Sequence, residues 1–252
     1  MFNVEFLHVI REFEYKKIVA RFLPGARILE IGGGTGYQAK RLTEDGFRLD
    51  SIDIPNSNYA GQQEFPVQPY DGRNIPFPDG EFDVVFSSNV LEHVLDLPHL
   101  QAEMKRVLKP GGYCVHLMPT GAWRFWTNVA HYVELFQRLY GLAPRLVPNG
   151  FSKHALSDSM SVLRLMASTA KHYARVPRHG EVGNALSEIF TFSSHHWRKH
   201  FFSQRFAINE ATGVGIFYTG HMVLGTHLSL DGRQKLAKWF GSACVIYVVR
   251  PA

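Results

Sequence analysis

The chain has 252 residues, 45% hydrophobic and 19% charged, enough apolar material for one sizeable core and too much for a disordered chain. Lys and Arg outnumber Asp and Glu by 27 to 22, giving a net charge of +5 without any Lys/Arg-rich run, which excludes nucleic acid as a leading partner and fits an anionic or amphiphilic one. No run of about 18 uninterrupted apolar residues suggests a membrane span, the first ten residues lack the order of a signal peptide, and the only cysteines, Cys114 and Cys244, fall in apolar runs, so a soluble cytoplasmic protein with buried free thiols is expected.

Residues 3–22 carry Phe6, Val9, Ile10, Phe13, Ile18, Val19 and Phe22 near helical spacing, and Pro24-Gly25 stops that helix. Packing against a sheet is its expected role. Ile28, Leu29 and Ile31 read as a short buried strand. Gly32-Gly33-Gly34-Thr35-Gly36 then turns tightly into a helix that starts at Tyr37 and ends at Asp45-Gly46. A strand that runs through glycines into a helix lets backbone N–H groups approach a ligand where side chains would block it. A nucleotide-like cofactor is therefore expected at the C-terminal edge of an open α/β sheet. The next strand, Phe47–Ile54, ends with Asp53 and the adjoining Ile54. A carboxylate there can accept two hydrogen bonds from a ribose diol.

Val67–Tyr70 is a weak third strand, and Val84-Val85-Phe86 is a buried fourth strand after the Asp79-Gly80 turn. A helix over Leu100–Leu108 is ended by Lys109-Pro110-Gly111-Gly112, and Tyr113–Met118 is the fifth strand. A long helix from Trp123 to Gly141 follows, then a second over Ser159–Tyr173 and a loop over 174–190. His195–Phe202 reads as a helix, Phe206–Asn209 and Gly215–Tyr218 as strands, and Cys244–Arg250 as the last strand.

The glycines Gly32, Gly34 and Gly36 are evenly spaced, with Glu30 two places before the first. That departs from the dinucleotide G-x-G-x-x-G pattern. It resembles the first motif of class I S-adenosylmethionine-dependent methyltransferases. Asp71-Gly72, the run Ser87-Ser88-Asn89-Val90-Leu91-Glu92-His93-Val94, and Leu108-Lys109-Pro110-Gly111-Gly112 before a strand look like the bacterial type 11 members. The resemblance covers residues 27–118. It implies a single domain over 1–252 with a Rossmann-like, doubly wound, seven-stranded α/β sheet whose last strand is antiparallel. The core would be about 23–119 and 196–252, with a helical insertion, about 120–195, after the fifth strand. It also implies that Cys114 and Cys244 lie on neighbouring strands, and that S-adenosylmethionine is the cofactor. Glu30 would help orient the cofactor's ammonium end, Asp71 would meet the adenine amino group, Gly72 would admit the base, and Ser88 and Asn89 would meet the amino-acid end.

Methyl transfer from a sulfonium needs alignment and exclusion of water, and an oxygen or nitrogen acceptor can need a base as well. His93 follows the fourth strand at the expected pocket mouth and is the first candidate, with His195 and His196 next. His196 and His200 are four apart, but no third ligand stands near, so no metal is expected. The expected function is methyl transfer to a small-molecule, sugar-linked or lipid-linked acceptor. The alternative is a methyltransferase-like module that binds cofactor or a partner without catalysis. The insertion is expected to build the acceptor side of the pocket, with ordinary core packing or a shallow membrane-surface contact as the alternatives for its aromatic residues.

Overall fold

The computed structural model describes residues 4–55, 63–146, 153–221 and 223–252, with the side chains of 4–7 and 153–157 excepted. Seven strands form one sheet in the order β3-β2-β1-β4-β5-β7-β6. They are β1 (Arg27–Ile31), β2 (Arg48–Asp53), β3 (Gln68–Pro69), β4 (Phe82–Ser88), β5 (Leu108–Pro119), β6 (Phe206–Gly213) and β7 (Cys244–Pro251). Strands β1 to β5 pair in parallel. The last strand, β7, runs antiparallel to both neighbours. This is the Rossmann-like architecture.

Both faces of the sheet are covered, which is why its central strands read as continuous apolar runs. Ile28, Val84, Phe86, Val115, Leu117 and Ile246 enter one core, together with Ile10, Tyr15 and Ile18 of α1 (Val4–Val19) and Leu42 of α2 (Tyr37–Glu44). Leu29, Ile31, Val85, Cys114, Met118 and Tyr247 enter the opposite core, with Leu100 and Met104 of α3 (Leu97–Val107). The first helix therefore packs on the sheet as its periodicity predicts.

Between β5 and β6 stand α4 (Gly121–Leu142), α5 (Lys153–His172), α6 (Ser187–Thr191) and α7 (Ser194–Ser203). Thr120 caps α4 by accepting the Trp123 N–H at 3.0 Å. A buried ion pair, Arg124 to Glu188 at 2.7 Å, ties α4 to α6. Among the described residues no helix is long and apolar enough to cross a membrane.

Several expectations need correction. Gly215–Tyr218 is not a strand: it is a buried segment whose Ile216 carbonyl accepts the Ala243 N–H at 2.8 Å outside any ladder. Strands β6 and β7 pair antiparallel, with α8 (Leu230–Phe240) in the connection between them. The Lys109–Gly112 turn is absorbed into β5 as an irregularity of register opposite Phe82–Val84. The second insertion helix starts at Lys153, earlier than its periodicity suggests, and α6 lies within the stretch read as loop. Cys114 and Cys244 do lie on adjacent strands, but at opposite ends, with Cys114 beside Val249 and Cys244 beside Pro119.

Candidate active site

Strand order fixes where a ligand can enter. From β1 the chain leaves through α2 toward β2 on one side, and from β4 it leaves through α3 toward β5 on the other. The loops after β1 and β4 diverge at this switch point, the place where open α/β sheets have their ligand crevice, outside the C-terminal ends of the strands. They still touch: a Cβ at Gly32 would run into the Val90 side chain. Gly32, Gly34 and Gly36 all have positive φ, at 75°, 57° and 78°, conformations that L side chains rarely adopt. Gly36 is also pressed by Phe65, whose Cβ would lie 2.7 Å from a side chain there.

The acids converge on this loop. Glu30 is 2% exposed and accepts a hydrogen bond from Ser51 Oγ at 2.7 Å across the β1–β2 pair. Burial raises its carboxyl to about 7, with the Ser51 bond pulling down and Asp53 adding a further rise. Asp53 ends β2, and its two oxygens accept the Gly34 N–H at 2.9 Å and the Ile54 N–H at 2.7 Å. Each oxygen keeps lone-pair capacity for a second donor such as a hydroxyl. Ile54 is half exposed and lies over Gly72, where a Cβ would be 3.1 Å from its Cγ2. Asp71 closes a local turn, accepting the backbone N–H groups of Arg73 and Asn74 and the Asn74 amide, each at 2.7 Å. Those bonds, led by the Asn74 N–H, lower its carboxyl below the usual range.

Ser88 is the last residue of β4, and Asn89 after it adopts φ 54° while donating its N–H to Leu117 at 2.8 Å. This left-handed turn ends β4 beside the glycine loop. The crevice thus presents a glycine cradle and two acids at strand tips, a donor-poor and acceptor-rich set. That set suits a ligand carrying an ammonium, a sulfonium and a ribose diol, so the residues fit S-adenosylmethionine.

The three predicted histidines part company. His93 lies in a 3-10 turn (Leu91–His93) that follows β4 directly. His195 and His196 are exposed in the first turn of α7, where His196 meets Trp197 edge-on at 5.9 Å. His200 is hydrogen-bonded to Gln101 at 2.8 Å. Instead, His93 packs against His179, their ring centroids 4.9 Å apart, over the buried carboxylate of Glu92. Burial raises the Glu92 carboxyl to about 8, lowers His93, and lowers His179 to about 4 with help from His93 and Arg124. Neither Glu92 nor His179 is a candidate on sequence; the Leu-Glu-His run points to Glu92, whereas nothing local points to His179.

A family model described as a methyltransferase domain matches residues 7–161, more than half of the chain. The chain belongs to the methyltransferase family. This methyltransferase is 35% identical over 172 residues to an uncharacterized methyltransferase of Mycobacterium sp. (strain KMS), covering 62% of this chain and 67% of that one. It is 30% identical over 165 residues to a ubiquinone/menaquinone biosynthesis C-methyltransferase of Cupriavidus pinatubonensis, covering 58% and 68%. Its fold is similar to geranyl diphosphate C-methyltransferase from Streptomyces coelicolor, solved with S-adenosyl-L-homocysteine among its ligands, at TM-score 0.53 and 12% identity, covering 98% and 82%. It is a class I enzyme whose cofactor is S-adenosylmethionine.

Proposed function

We propose that this enzyme methylates an amphiphilic small molecule, lipid-linked or sugar-linked, held between the glycine-loop edge and the helices of 120–195. When bound, the cofactor supplies an electrophilic methyl group. In this reading Glu30 receives its ammonium, Asp53 its ribose diol, Asp71, Gly72 and Ile54 its base, and Ser88 and Asn89 its amino-acid end. Gly32, Gly34 and Gly36 keep the loop free of side chains. His93, at the mouth beyond β4, faces the acceptor.

The observation that carries the acceptor class is α4. It leaves the same edge of the sheet at Gly121. Its N-terminal turn is buried through Trp123 and Arg124, and Phe125, Val129, Val133, Phe136 and Tyr140 are exposed along it at helical spacing. An exposed apolar row beside a reaction crevice supports a partly apolar acceptor. The curated relative active in quinone biosynthesis supports the same class.

The test is release of S-adenosylhomocysteine against paired acceptors, each polar head presented with and without an acyl or isoprenoid tail. A higher kcat/KM for the tailed member is expected. Equal or faster turnover of the tail-less heads would overturn the acceptor class, and cofactor binding without turnover of any acceptor would favour the non-catalytic alternative.

A further inference from the structure

We propose that Glu92, His93 and His179 form a binding site for one divalent transition-metal ion, of the zinc, cobalt or manganese class, at the mouth of the crevice.

The Glu92 side chain is wholly buried, and among the described residues no group other than its own backbone N–H is placed to donate to its oxygens. A buried carboxyl with no donor beyond its own backbone is rare, because the loss of water must be compensated by something. Among the described residues the cation in electrostatic range is Arg11 of α1, and it is held by Glu14 at 2.6 Å. Two imidazoles stand where donors are missing. His93 Nε2 is 3.9 Å and His179 Nε2 is 4.0 Å from Glu92 Oε1. These separations are too long for hydrogen bonds. They suit an interposed ion, since ligand atoms of all three residues lie within 4.8 Å of one another. Bonds of about 2.0–2.2 Å to zinc would draw the donors roughly half an ångström closer. Rotation of two imidazoles that are each 36% exposed can supply that movement.

The surroundings are built to hold the set. His93 Nδ1 faces Glu181 Oε1 at 3.9 Å. The backbone N–H groups of His179 and Gly180 are anchored on Glu188 Oε1 at 2.8 and 2.7 Å. Glu188 is in turn held by Arg124. Gly180 is required for the approach: a Cβ there would lie 2.8 Å from the Glu92 carbonyl oxygen. The Glu181 N–H donates to that same oxygen at 3.3 Å. Glu188 thus fixes the backbone that carries His179, and Glu181 places a second carboxylate near the His93 ring without a hydrogen bond to it.

Two nitrogens and one carboxylate oxygen favour zinc, cobalt, iron or manganese over magnesium or calcium, which prefer all-oxygen sets. Three protein ligands with exposed imidazole edges leave coordination positions open, as in sites that bind substrate rather than purely structural ones. An acceptor hydroxyl or carboxylate oxygen fits those positions. That role rests on the proposed acceptor reading, whereas metal binding itself does not.

The full chain is stripped with chelator, dialysed, and titrated calorimetrically with Zn2+, Mn2+ and Mg2+, and with Co2+ while visible absorption is followed. One equivalent of Zn2+ and of Co2+ is expected, with Mg2+ far weaker and a d–d spectrum for the cobalt form. H93N and H179N should each weaken Zn2+ at least tenfold, and H196N/H200N should leave it unchanged. Two paramagnetically shifted imidazole N–H or C–H signals in the wild-type cobalt form give the same answer if a variant fails to fold. No binding by the wild type, or affinity untouched by H93N and H179N, overturns the site. S-adenosylmethionine titrated in parallel separates the two readings: cofactor binding without metal removes only this inference.

Discussion

Replacing Gly33 by Ala tests how the glycine loop and the acid beneath it are joined. Gly33 does not need a left-handed backbone, so its requirement is purely steric. A Cβ there would drive into Ser51 Oγ, and would lie 3.1 Å from Glu30 Oε2 and 3.3 Å from Val67 Cγ1. The hydroxyl can rotate away only by giving up its bond to Glu30, which leaves a buried carboxyl without that donor. Such a loss costs about 1–3 kcal/mol. G33A is therefore expected to destabilise by roughly that amount in urea denaturation at pH 7, with little change in m. S51A should cost a similar roughly 1–3 kcal/mol, because it deletes the same bond. The double variant is the informative one. Once the hydroxyl is gone the new methyl has only contacts that yield by tenths of an ångström, so G33A in the S51A background should add less than about 0.5–1 kcal/mol. If the two effects instead sum within about 0.5 kcal/mol, Gly33 is not there to make room for the Ser51–Glu30 bond and the steric reasoning fails.

Further tests concern charge. Glu30 titrates near 7 when folded against an ordinary value of 4.5, so the unfolded chain binds fewer protons between those pH values and Glu30 costs stability as pH rises through that window. E30Q should therefore gain roughly 3 kcal/mol relative to wild type between pH 4.5 and 8, while binding S-adenosylmethionine more weakly; parallel stability curves would refute the burial argument. His116 is fully buried against Ser87 Oγ at 2.8 Å, and burial lowers its pKa to about 3. Its contribution is present above about 6.5 and is lost as pH falls toward 3, so H116N should flatten the acid limb of the stability profile; an unchanged acid midpoint would contradict this. D53A removes the acceptor for the Gly34 and Ile54 N–H groups and is expected to weaken S-adenosylmethionine by about 1.5–3 kcal/mol in calorimetry, against no change if Asp53 does not face the cofactor. E188A would leave the buried Arg124 guanidinium unpaired and the His179–Gly180 backbone unanchored. A loss of about 3–5 kcal/mol is expected, with faster proteolysis in 174–186, and a surface-like loss below about 1 kcal/mol would show that the pair is not buried in solution.

The amino-acid sequence alone determined the sheet and the glycine loop, because both are local consequences of residue type. Ile28-Leu29-Ile31 and Val84-Val85-Phe86 are apolar on alternate residues of both faces, which only a doubly covered strand can bury. Three positive-φ positions in five residues can be filled only by glycine at low cost. Spacing likewise put Asp53 at the tip of β2. What the sequence could not assign was partnership at a distance. The α8 helix between β6 and β7 and the buried Ile216 segment depend on how the chain closes over the sheet edge. So does the fate of the histidines, of which His93 and His179 come together after β4. His179 meets Glu92 because Arg124, Glu188 and Gly180 fold the insertion back onto the end of β4. No periodicity records that meeting, since it is fixed by packing and hydrogen bonds between segments nearly ninety residues apart rather than by the conformational preferences of either one.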